Sequence, residues 1–183
     1  MTQQRESGGI EKSQHYCRRK NNTNRTGAER VDEEISGEMI VKTKKIVIKS
    51  TSGFCPVEYA YNDKLTITAN SIAYECKPYF ESDNSLNVRR KWSYKTTNSI
   101  FSLVFEKIAV AVDEILSRDQ EAMYCDCGNI DFIVTYDDGN KVAREFGVPA
   151  DEFADCFKII REIIPVTEDV PEAIRISEDC DEE

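Results

Sequence analysis

Histidine is nearly missing from this chain: among 183 residues only His15 carries an imidazole. It sits in a stretch with no hydrophobic period, where nothing orients it, so the usual general base of neutral-pH chemistry is lost. Ser-His-Asp and Cys-His catalysis and histidine-bearing zinc sites go with it. Glycine is also sparse, and neither G-x-G-x-x-G nor G-x-x-x-x-G-K-[ST] occurs, which argues against the phosphate cradles of common nucleotide folds. No apolar run is long enough for a bilayer, because Glu106 and Lys107 interrupt the longest one. An apolar signal segment is lacking at the N-terminus. Cysteine is plentiful, with seven residues, but the number is odd and the spacing scattered. A secreted scaffold of this size shows an even, regular framework, so a reducing compartment is expected and the predicted location is cytoplasmic. Cys180 is fourth from the end, but Asp181, Glu182 and Glu183 follow it instead of the aliphatic residues of a prenylation signal.

What the chain does have is a strong amphipathic stretch from Asn98 to Arg118. At 100° per residue Phe101, Val104, Phe105, Ile108, Val112, Ile115 and Leu116 share one broad arc, while Ser102, Glu106, Asp113 and Ser117 share another. Valine and isoleucine are mediocre helix formers, so burial must hold this helix. At roughly 1.5–3 kcal/mol per buried side chain, the arc is worth about 10–20 kcal/mol gross, enough to override the propensity penalty.

Around this helix the chain reads as strands. Residues 1–38 have no apolar period and are expected to be a disordered basic and polar arm, in which Arg18, Arg19 and Lys20 form a short solvated run. Ile46–Ile48, Val57–Tyr61, Leu65–Ala69 and Ile72–Lys77 read as short strands, with Asn62–Asp63 as a turn between the second and third. Pro78–Val88 reads as a loop, and Arg90–Lys95 resumes a strand. Ala122–Cys125 reads as a further short strand. Asp131–Tyr136 and Lys141–Phe146 form the clearest hairpin, because Asp138–Gly139 supplies residues that tolerate positive φ. Pro149 opens a second helix with Phe153, Cys156, Phe157, Ile160 and Ile164 on one face, closed by Pro165. The expected fold is α+β: a mostly antiparallel sheet, a meander plus a C-terminal hairpin, with two amphipathic helices packed on one face. One domain spans 39–165. From Val166 onward eight acidic residues face one basic residue, and this tail is expected to be mobile, although Val170, Ile174 and Ile176 offer a way for part of it to dock.

Few constellations carry chemistry. Cys125-Asp126-Cys127 lacks the C-x2-4-C spacing of zinc ligands and the C-x-x-C of thioredoxin chemistry, so packing explains it better. Asp126, Asp131, Asp137 and Asp138 do not follow the EF-hand order; two of them are better explained as turn formers, and a solvated hairpin tip accounts for the group. No catalytic set, metal or cofactor is therefore expected. The most distinctive local feature is Arg89, Arg90 and Lys91 with Trp92, Tyr94 and Lys95. Cations beside aromatic faces bind phosphates, bases or acidic peptides. A lysine-guarded edge strand with Trp92 and Tyr94 packed under the helices explains the same pattern without a ligand. These cations are also placed to receive the chain's own acidic tail.

Ile100, Leu103 and Val110 lie on the side of the first helix away from its main arc. The second helix, the C-terminal segment or a homodimer partner is expected to meet them. Together these readings favour a non-enzymatic cytosolic binding or regulatory module for a protein or small anionic ligand, with a net charge of −10 disfavouring membrane and nucleic acid. The alternatives are a small-molecule enzyme using carboxylate, cysteine or tyrosine chemistry, with Tyr59, Tyr61 and Tyr74 on the sheet, or a sequestering protein that holds a phosphorylated ligand through Arg89, Arg90 and Lys95.

Overall fold

In a computed structural model that describes residues 41–80, 88–119 and 128–180, Asn98 caps the helix that the apolar arc predicts. Its side-chain oxygen accepts from the Ile100 N–H at 2.9 Å, satisfying one of the donors a helix start leaves free. Helix α1 runs Ser99–Ser117 and buries Phe101, Val104, Phe105, Ile108, Val112 and Ile115. At its other end Arg144 donates to the carbonyls of Leu116, at 2.9 Å, and Arg118, placing a cation where the helix dipole favours one.

Six strands form one antiparallel sheet: β1 Thr43–Thr51, β2 Tyr61–Thr68, β3 Ser71–Pro78, β4 Arg90–Lys95, β5 Ile130–Tyr136 and β6 Lys141–Phe146. Their spatial order is β4-β3-β2-β1-β5-β6, a four-strand meander joined through β1 to a hairpin. That hairpin turns where the sequence indicates. Gly139 adopts φ 89°, its N–H donates to the Tyr136 carbonyl at 3.2 Å, and the Asp138 carboxylate receives the Asn140 N–H at 2.8 Å. The chain is α+β, with both helices on one face of the sheet.

Strand alternation sends Ile46, Ile48, Leu65, Ile67, Ile72, Tyr74, Phe132 and Val134 to that face, where the arc of α1 meets them. A 3-10 turn at Ala150–Phe153 leads into helix α2, Ala154–Arg161, which buries Cys156, Phe157 and Ile160. The chain leaves α2 before Ile164, and Ile163 turns inward in its place, 6 % exposed. Phe132 stands among Phe146, Phe153 and Phe157 with ring centroids 5.9, 5.0 and 6.2 Å away. Cys156 is enclosed beside these rings, and burial pushes its thiol up to about 12.

Two expectations give way. Val57–Tyr59 is a 3-10 turn following Pro56, not a strand, and Asn62–Asp63 lies inside β2 instead of forming a turn. Asp63 is accommodated there because its carboxylate accepts hydrogen bonds from Tyr74 and from the Ala173 N–H. A third gives way in part: of the segment after Pro165, expected to be mobile, the stretch around 171–176 packs on the sheet while Val166 is exposed. Ala173, Ile174 and Ile176 are buried in the core, and Arg161 holds Asp179 through both guanidinium nitrogens at 2.8 and 2.5 Å. The N-terminal arm with His15, residues 81–87 of the loop, the strand at Ala122–Cys125 and the Cys125–Cys127 pair lie outside the described residues.

Candidate functional site

Both helices and the C-terminal segment cover the same side of the sheet, so among the described residues strand alternation leaves the other side open. Register aligns the open-side residues into cross-strand rows. The middle row is uncharged: Ser93, Ala73, Thr66, Val47, Ile133 and Ala143, from β4 across to β6. Val47 sits low within it, 7 % exposed, so the row is a strip of short side chains.

Lysines stand on both sides of this strip. Lys91, Lys64 and Lys49 flank it on one side, and Lys95, Lys45 and Lys141 on the other. Each of them is exposed, and among the described residues none forms an ion pair. Glu75, the one acid on the open side of β1–β4, is already taken. Arg89 and Lys77 approach it at 3.2 and 3.5 Å, and the Arg89 guanidinium holds its carboxyl below the usual range. Acid reappears only toward the hairpin, as Asp131 and Glu145. A shallow depression of about 420 Å³ opens beside the strip, lined by Lys49, Asn62, Lys64, Lys77, Asn129 and Glu145 among others.

The basic aromatic strand is divided by the same alternation. β4 is an edge strand, with Arg90, Trp92 and Tyr94 on the helix side and Lys91 and Lys95 on the open side. Trp92 packs on Tyr74 at 5.6 Å, and Tyr94 on Phe101 at 6.2 Å. Arg90 donates to Glu172 at 2.8 Å, in the first turn of the 3-10 segment Glu172–Ile174. This pair raises its pKa despite the opposing effect of burial. Arg89 reaches Glu75. The six residues therefore do not form one cluster: the aromatics are packing, and only Lys91 and Lys95 join the open face.

Beneath the C-terminal segment lies a second polar group. Asp63 Oδ2 accepts from the Ala173 N–H at 2.7 Å and from the Tyr74 hydroxyl at 3.3 Å, while Oδ1 has no partner among the described residues. Burial disfavours the charged carboxylate and pushes Asp63 up to about 6. The same burial raises Tyr61, Tyr74 and Cys76. Tyr59, by contrast, is exposed in its 3-10 turn.

Asp137 and Asp138 serve the hairpin backbone, the first accepting from the Lys42 N–H at 3.1 Å. Among the described residues no three of His, Cys, Asp and Glu gather in a way that would hold a metal ion. No described helix is long and apolar enough to cross a membrane. Ile100, Leu103 and Val110 remain exposed along the outer side of α1, outside the hydrophobic core.

The chain matches no protein-family model, and no curated protein matches it either.

Lys45, Lys49, Lys64 and Lys141 escaped the reading of the sequence. Their signal was present as lysines spaced to share a strand side, as in Lys45-x-Val47-x-Lys49, but three strands contribute them and only the register brings them together.

Proposed function

We propose that this protein is a non-enzymatic binding module whose contact surface is the open face of its sheet. The reading rests on one observation: helices and C-terminal segment lie on a single side, so the opposite side presents a strip of short side chains flanked by lysines that form no ion pair among the described residues. The sheet fixes the backbone positions from which those lysines project, which favours recognition over chemistry. The carboxylate, cysteine and tyrosine alternative is weaker. Asp63, Tyr74 and Cys76 are 2, 2 and 0 % exposed, and a substrate has no way to reach them without displacing the C-terminal segment. Sequestration of a phosphorylated ligand by Arg89, Arg90 and Lys95 is also weaker, because the first two are held by Glu75 and Glu172.

A titration of the isotope-labelled chain against nucleotides, divalent metals, an acidic peptide and an oligonucleotide tests this. Binding that shifts the amides of Thr66, Ala73 and Ser93 supports the reading. Turnover of any probe, or shifts centred on Asp63 and Tyr74, would replace it with an enzyme site.

A further inference from the structure

We infer that the open face takes an acidic polypeptide segment laid along the uncharged strip. This rests on the reading of that face as the contact surface and adds the chemistry of the partner. The chain as a whole carries −10, yet the open side of β1–β4 carries Lys45, Lys49, Lys64, Lys77, Lys91 and Lys95 against Glu75 alone. Screening at physiological salt confines electrostatics to about 8 Å, so this local field acts despite the opposite net charge.

Its dimensions suit a short segment. Three strand spacings of about 4.8 Å give roughly 14 Å across β1–β4, and the four residue steps from Lys45 to Lys49 span about 13–14 Å along the strand. Carboxylates on either side of a polypeptide lying between the two flanks meet lysine on both. The side chains between those carboxylates rest on Thr66, Val47 and Ala73.

Other polyanions fit less well. Nucleic acid platforms on sheets stack bases on aromatic side chains, but here Trp92, Tyr94 and Tyr74 all face the helices. Among the described residues the one arginine beside the open face, Arg89, is bound to Glu75, so these residues offer no free guanidinium fork for phosphate there. A long polyanion also runs off the basic field toward Asp131 and Glu145. A membrane surface finds little apolar anchorage: among the described residues Tyr79 is the exposed aromatic next to this face, at the end of β3, and its hydroxyl donates to Asn62 Oδ1 at 3.1 Å.

Fluorescence anisotropy on the full chain decides the matter, using a labelled Glu-rich synthetic peptide, an oligothymidylate of matching net charge and phosphatidylserine vesicles. The expected result is peptide binding that weakens with salt and is tightest of the three. Lys45→Glu and Lys64→Glu, on opposite flanks, are each expected to weaken it about tenfold. Lys107→Glu, an exposed change of the same charge on α1, is expected to alter it less than twofold. Tighter binding of the oligonucleotide or vesicles, lost in the same lysine variants, would overturn the polypeptide assignment while leaving the open face as the contact surface. Equal losses in Lys107→Glu, or no binding of any probe at low salt, would overturn both.

Discussion

Arg90 and Glu172, 82 residues apart in sequence, meet at 2.8 Å between the edge strand β4 and the C-terminal segment. Their side chains are 25 and 15 % exposed, so the pair is half withdrawn from water. A cation expected to serve a ligand instead ties the end of the chain to the sheet.

Removing one partner of this pair leaves the other poorly solvated. Glu172→Ala is expected to destabilise the fold by about 1–3 kcal/mol. Glu178→Ala, which breaks the exposed Lys158–Glu178 pair, is expected to change it by less than about 0.5 kcal/mol. Urea midpoints at constant slope measure both.

Asp63 gives a pH dependence of definite sign. Its folded pKa is raised from 3.8 to about 6, so the folded state holds the proton more tightly than the unfolded chain. Its contribution to stability is full below pH 3.8 and is lost as pH rises through about 6. Asp151 and Asp179, whose carboxyls are lowered, work the other way and lose their contribution as pH falls. For Asp151 the cause is the Ser177 hydroxyl and N–H; for Asp179 burial opposes the shift and Arg161 outweighs it. Asp63→Asn keeps an oxygen for Ala173 and Tyr74 but no longer titrates. Its stability relative to the wild type is expected to rise by about 2–3 kcal/mol between pH 4 and pH 7, at about 1.4 kcal/mol per unit. Denaturation curves at several pH values check the difference, and a flat difference would refute it.

Phe132 is expected to be among the costliest aromatics to remove, since it is fully buried and its ring meets three others. Phe132→Ala should cost about 3–5 kcal/mol. Leu103→Ala, on the exposed side of α1, should stay within about 0.5 kcal/mol. Comparable losses for the two would contradict the placement of the core.

Cutting the chain before Val166 takes Ile174 and Ile176 out of the core, a loss of about 3–6 kcal/mol from these two side chains alone. It also uncovers the surroundings of Tyr74 and Trp92. A red-shifted Trp92 emission and a broadened unfolding transition are the expected readouts, and an unchanged spectrum would show that the segment contributes nothing there.

Elements with a local signature were legible in the sequence. The period of Phe101 to Ile115 marked α1, Asp138–Gly139 marked the last hairpin, and Arg90–Lys95 marked the edge strand at its observed bounds. Asn62–Asp63 misled because the residues that make Asp63 acceptable inside a strand are Tyr74 and Ala173, one of them 110 residues away. The C-terminal segment misled because its acidity outweighed its few apolar residues, although Asp179 and Glu172 have their own arginines. The alternation of Trp92 and Tyr94 indicated packing correctly. The lysine-flanked strip was illegible because it is written across strands, not along any one of them.

The position of β1 between β2 and β5 bears on the order in which this protein folds. Ile46 finds Ile67 early in synthesis, but its other neighbour, Val134, is made only after β4 and α1 are complete. One margin of β1 therefore waits unpaired while the meander winds up, and closing that distant pairing is expected to slow folding. A nascent chain paused before β5 presents a ladder of open backbone groups, the point at which a chaperone has most to protect.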